Sequence, residues 1–144
     1  MSSSWICADA NLVIRLLVDP EDEVVRRLWE RWDSEHQRVA APTLLFYEVS
    51  NALYRYRRAG MMGPAAVQLA LKAALALPIT LHGELTLHAR AIEIAERFSL
   101  PAGYDAHYLA LAELLGGEFW TLDQRLVNVV QAELPWVHAM RVDP

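Results

Sequence analysis

The sequence of 144 residues holds one cysteine, Cys7, and one lysine, Lys72. A lone thiol excludes a disulfide framework and any cysteine-based zinc site. A lone lysine, set in a segment that reads as helix, nearly closes off chemistry built on a catalytic lysine. Long apolar runs are missing: Leu69–Leu77 is short and punctuated, far below the roughly 20 residues that span a bilayer. The opening Met1-Ser-Ser-Ser-Trp5 has no basic stretch, so it does not read as a secretory signal. Neither Gly-x-Gly-x-x-Gly nor a phosphate loop with its lysine is present, which weakens a nucleotide-binding reading. Positive charge is also in deficit, with 13 basic residues against 18 acidic ones and a net charge of -5. That balance argues against binding nucleic acid by bulk charge. It leaves nucleic acid open as a substrate, because a divalent cation held between carboxylates carries its own positive charge to a phosphodiester.

The remainder is 54% hydrophobic and 22% charged, which is the composition of a folded globule with room for one core. The expectation is a single domain over residues 1–144 and a cytoplasmic location. Internal repeats and low-complexity tracts are absent. Prolines and glycines fall between apolar segments, where connections belong. Trp5-Ile-Cys-Ala8 reads as a buried strand and Asn11 to Leu17 as a short helix ending at Asp19-Pro20. Val25, Leu28, Trp29 and Trp32 give Glu21 to Asp33 helical period and make both tryptophans core candidates. Arg38 to Ala41 reads as strand, Thr43 to Arg58 as helix, and the Ala- and Leu-rich stretch after Pro64 as another helix. Ile79 to Leu81 is a short strand. Leu85 to Phe98 is expected to be helical, with Leu85, Ala89, Ile92 and Ala95 or Glu96 setting its period. Tyr104 to Leu115 is apolar almost all round and ends at Gly116-Gly117, as a buried helix should. Glu118 to Thr121, Asp123 to Val130 and Trp136 to Met140 complete the chain as strand, helix and strand. Short apolar strands alternating with helices predict an α/β fold: a three-layer domain around a mostly parallel sheet of about five strands.

Ligands in such folds gather beyond the carboxyl ends of the strands, and four carboxylates sit where that rule points. Asp9 follows the first strand, and Asp123 follows the strand ending at Thr121. Asp105 stands in the first turn of the buried helix, and Glu48 lies early in the helix after Pro42. Each has a plainer role available. Asp9 and Asp123 could be helix N-caps, Asp105 an N-terminal helix charge, and Glu48 part of a solvated stripe with Asn51, Arg55 and Arg58. Carboxylates brought together without compensation would raise one another's pKa and destabilise the fold. A chain that assembles them usually pairs them with Mg²⁺ or Mn²⁺.

Four segments carry a family resemblance. They are Ala8-Asp-Ala-Asn-Leu-Val-Ile14, Pro42-Thr-Leu-Leu-Phe-Tyr-Glu-Val-Ser-Asn-Ala-Leu53, Tyr104-Asp-Ala-His-Tyr-Leu-Ala-Leu-Ala-Glu113 and Trp120-Thr-Leu-Asp-Gln-Arg-Leu126. In this order they resemble PIN-domain ribonucleases, specifically the VapC toxins of bacterial toxin–antitoxin pairs. The resemblance implies that Asp9, Glu48, Asp105 and Asp123 form a catalytic acidic quartet, and that Asp9, Asp105 and Asp123 ligate Mg²⁺, with Mn²⁺ as a substitute. It places Thr121 and Asn11 in support behind the acids. It also implies a metal-dependent RNA hydrolase, a homodimer and a VapB-type antitoxin that covers the site. Arg55 and Arg58, on the helix face of Glu48, are candidates for holding substrate phosphates. His107 points to a different side of its helix and reads as structural or exposed. The competing readings are a Mg-binding phospho-receiver or phosphatase-like domain, and a non-catalytic interaction module.

Overall fold

The computed structural model describes residues 4–140. Five strands form one all-parallel sheet: β1 (Trp5–Ala8), β2 (Arg38–Pro42), β3 (Ile79–His82), β4 (Glu118–Thr121) and β5 (Val137–Ala139), in the order β3-β2-β1-β4-β5. The helices between them are α1 (Ala10–Val18), α2 (Glu23–Ser34), α3 (Leu45–Arg58), α4 (Pro64–Leu75), α5 (Thr86–Arg97), α6 (Tyr104–Leu115) and α7 (Gln124–Val130). This is the three-layer α/β arrangement expected. No helix among the described residues is long and apolar enough to cross a membrane.

Side chains alternate across each strand, and here the alternation sorts the core into two layers. Cys7, Ala40, Phe119 and Val137 join the larger layer with α3, α5 and α6. Ile6, Ala8 and Val39 join a smaller one, closed by Leu28 and Trp32 of α2. Trp29, Trp32 and Trp120 pack edge to face there, with successive ring centroids 5.0 and 6.2 Å apart; Trp32 is buried in the core and Trp29 packs half-buried against it. Helix α6 lies at the centre of the larger layer, with Tyr108, Leu109 and Leu111 wholly buried. It ends in Gly116 at φ +64°, and a Cβ on Gly117 would stand 2.5 Å from the Trp5 carbonyl oxygen. The Gly-Gly pair is thus needed twice, once for a left-handed turn and once to let the chain pass β1.

Two local expectations are corrected. The row Leu85, Ala89 and Ile92 does not face inward. Leu85 and Ile92 are 83% and 60% exposed, and Leu87, Ala91 and Ile94 are buried instead. Both rows read Leu-Ala-Ile at the same helical spacing, and it is the second that α5 turns into the core. Helix α2 also begins two residues later than Glu21. Asp22 caps it, accepting from the amides of Val24 and Val25 at 3.1 and 3.4 Å, and takes Arg15 Nε at 2.9 Å on its other oxygen.

Candidate active site

In this sheet the direction of succession reverses between β1 and β4, since β2 and β3 lie to one side and β4 and β5 to the other. Such a reversal leaves a crevice beyond the carboxyl ends of the two strands. The residues that follow β1 and β4 are drawn together there. Asp9 donates its amide to the Trp120 carbonyl at 3.0 Å, and its extended backbone (φ -64°, ψ 150°) aims the carboxyl to the same face as Cys7.

The Asp9 side chain is 5% exposed and does not cap α1. Its Oδ2 instead accepts from Thr121 Oγ1 at 2.7 Å and from Asn11 Nδ2 at 3.3 Å. Asn11 also donates to Thr121 Oγ1 at 3.0 Å, and its Oδ1 accepts from the Leu122 amide at 3.1 Å. Thr121 Oγ1 accepts the Asp123 amide at 3.0 Å. Asn11 and Thr121 therefore brace Asp9 and the start of α7 in one polar network.

Glu48 comes from the first turn of α3, and its Oε1 accepts the hydroxyl of Tyr108 at 2.8 Å. Asp105 stands in the first turn of α6. Asp123 is the N-cap of α7, with Oδ1 accepting from the amides of Arg125 and Leu126 at 3.0 and 3.2 Å. Its plainer capping role is thus real, and it does not preclude the other one: all four acids line a single cavity of about 320 Å³ together with Asn11, Asn51 and Arg55. Arg58 is exposed and lies outside that lining; ten residues along a helix carry it about 15 Å from Glu48. Sharing a helical face with Glu48 was not enough to bring it to the cavity.

Sequence reasoning missed Tyr108. A tyrosine inside an apolar helix reads as core, and its ring is indeed fully buried. The available signal was its hydroxyl, which needs a partner once buried, and its position three residues after Asp105, one turn along the same side of the helix. His107 points elsewhere: Nδ1 meets the Gly103 carbonyl at 2.7 Å and Nε2 meets His88 Nδ1 at 2.9 Å.

The electrostatics show that the acids feel one another. Burial, with the charges of Asp105 and Glu48 added, pushes Asp9 up to about 7 against the opposing hydrogen bond from Thr121. Burial first and then the Asp105 charge raise Glu48, while the Tyr108 hydrogen bond holds it down. Burial and the neighbouring Asp123 raise Asp105. Among the described residues none of the four is in an ion pair. A donor set of hard carboxylate oxygens, turned to one cavity and paired with no side-chain cation, suits a divalent ion such as Mg²⁺. The acids ring the cavity rather than closing on one point; among the described residues no three metal-binding side chains already stand in coordinating positions.

Comparison with known proteins gives matches in family, sequence and fold. The family model of the PIN domain matches residues 6–131. Ribonuclease VapC3 of Pyrobaculum aerophilum is 30% identical over 127 residues, covering 85% of this chain and 92% of that protein. Among solved structures, VapBC2 from Rickettsia felis, bound to a DNA fragment from its promoter, superposes with a TM-score of 0.70 at 10% identity, over 95% of this chain and 99% of that one. VapC20 of Mycobacterium tuberculosis, described as a sarcin–ricin loop cleaving toxin, does so with 0.63 at 19% identity, over 89% and 95%. At these identities the structural matches speak for the fold.

Proposed function

This chain belongs to the PIN-domain family, and from that premise we propose that it is a metal-dependent endoribonuclease, the toxin of a VapBC-type pair. The observation that carries the proposal is the convergence of Asp9, Glu48, Asp105 and Asp123, from four separate elements, on one cavity, with none of the four in an ion pair among the described residues. The similarity to a VapC ribonuclease supports RNA as the substrate, and the likeness to a VapBC complex supports a VapB-type antitoxin as partner. A homodimer, a cytoplasmic location and one domain spanning residues 1–144 belong to the same reading.

Asp9, Asp105 and Asp123 would hold Mg²⁺, with Mn²⁺ as a substitute. When bound, the ion supplies Lewis-acid activation of water and charge stabilisation at the phosphoryl group. The residues of the chain then have separable tasks. Thr121 and Asn11 fix the Asp9 carboxyl in one orientation. Tyr108 occupies one oxygen of Glu48, which leaves the other to accept a proton from the attacking water and aim it at phosphorus. Arg55, the cation at the cavity wall, offsets the charge of a phosphate.

The test uses the purified protein freed of any antitoxin. It should cleave RNA with Mg²⁺ or Mn²⁺, lose activity in EDTA, and lose it in Asp9→Asn and Asp105→Asn. Mn²⁺ should also raise the melting temperature of the unmutated protein and not that of the variants. Cleavage that persists in both variants would overturn the assignment; an interaction module would show none at any stage.

A further inference from the structure

A second cavity, also of about 320 Å³, opens beyond the carboxyl ends of β2 and β3. Its walls include Thr43, Tyr47, His82, His88, Tyr104 and His107. Tyr47 and Tyr104 are the chain neighbours of Glu48 and Asp105, and they are 74% and 62% exposed. Consecutive side chains on a helix point about 100° apart. One turn of α3 and one turn of α6 therefore each present an acid to the first cavity and a tyrosine to the second.

The chemistry of this second cavity differs from that of the first. No arginine or lysine lines it, and its one carboxylate, Glu84, is engaged by His82 Nδ1 at 3.0 Å. The walls are rings. Because His107 Nδ1 donates to the Gly103 carbonyl, its Nε2 is an acceptor, and His88 Nδ1 must be the donor between them. Nε2 of His88 is left as an acceptor. The two imidazoles sit 5.1 Å apart at 65°, held in place by this chain of hydrogen bonds. A pocket of rings without cations does not suit a phosphate. It suits a flat aromatic group with polar edges, and its volume is at the small end of ligand sites. Single-stranded RNA offers such groups, since unpaired bases stack on tyrosine and histidine side chains.

We propose that this cavity holds an unpaired nucleobase next to the phosphodiester at the acids, stacked by Tyr47 and Tyr104 and met at its edge by His88. The inference rests on the ribonuclease reading for its substrate and deepens it by assigning a subsite to the base beside the cleaved bond.

The experiment has a binding arm and a cleavage arm. AMP and UMP, each added in EDTA, should shift the ring NMR signals of Tyr47, Tyr104, His88 and His107. The double variant Tyr47→Ala/Tyr104→Ala should bind a single-stranded oligonucleotide about tenfold more weakly, whereas Tyr47→Phe/Tyr104→Phe keeps affinity, because stacking needs the ring and not the hydroxyl. In cleavage the alanine pair should raise KM about tenfold with kcat within about twofold. Ring shifts without cleavage under any metal would uphold the base cavity and sink the nuclease reading. Normal cleavage with unmoved ring signals and unchanged KM would do the reverse. If the alanine pair turns a dimer into a monomer in light scattering and leaves nucleotide binding intact, the face joins two copies and the proposal is overturned.

Discussion

The same residue types are treated in opposite ways at two places in this molecule. On α5 and α6, Arg90 reaches Glu113 at 2.7 Å and Glu93 at 2.9 Å, and its guanidinium holds the Glu113 carboxyl below the ordinary range. Along α2, Arg27 meets Glu23 and Arg26 meets Glu30 one turn apart. Acids at these surfaces have a cation within reach. At the mouth between β1 and β4, four acids share a cavity with Arg55 and pair with no cation, and three of them are driven upward in pKa by burial and by each other. One arginine, Arg55, reaches the wall of that cavity, and it forms an ion pair with none of the four acids. Partnered acids hold a surface together at modest worth; unpartnered buried acids cost stability and keep a place for a cation from outside.

That contrast can be broken by experiment, most forcefully at its strongest point. Asp9→Asn and Asp105→Asn should each lower RNA cleavage by about 10³-fold or more, since each removes a charged oxygen from the cavity that the reaction uses. A loss below tenfold, in either variant, would mean the acids gather for some other reason. Thr121→Val should cost less, roughly 10–100-fold in metal affinity or activity, because it frees Asp9 from its brace without removing charge. The readouts are single-turnover cleavage and a Mn²⁺ titration; an unchanged Mn²⁺ affinity would deny Thr121 its positioning role.

Stability should move in the other direction. Between the ordinary value near 3.8 and about 7, the folded chain keeps on Asp9 a proton that the unfolded chain releases. Folding therefore weakens as pH rises through that window, by up to about 1.4 kcal/mol per unit, and the full cost stands above it. Asp9→Asn abolishes this cost, so it should stabilise the metal-free protein by up to about 4 kcal/mol near pH 8 and by close to nothing below the window. Urea midpoints across pH check this. A gain that is flat with pH would show that Asp9 is not strained by its charge. The smallest effect belongs to the partnered group: Arg90→Gln should cost about 0.5 kcal/mol, given how much solvent reaches the pair, and leave cleavage unaltered.

How far the sequence could be read differs by residue in a way that follows from range. Asp123 was legible as a cap because the amides it accepts lie two and three residues away. Gly116-Gly117 marked the end of α6 for an equally local reason. The α5 face went wrong because two apolar rows share one helical period, and only the fit against α6 chooses between them. Tyr108 went unnoticed because its partner, Glu48, is 60 positions distant. The reach of Arg55 and the failure of Arg58 to reach likewise depend on where α3 lies over the sheet.

Local chemistry in the chain settles the strands, the helices, their ends and the poverty of positive charge, because these depend on side-chain period and on breakers a few residues away. The gathering of Asp9 with Asp123, and of both with Glu48 and Asp105, comes from elsewhere. It arises when β4 adds beside β1 rather than beside β3, so that Thr121 meets Asp9 across 112 positions of chain. No period in a sequence encodes that meeting. The packing of two core layers on one sheet does, and the same packing turns Tyr47 and Tyr104 away from the acids beside them.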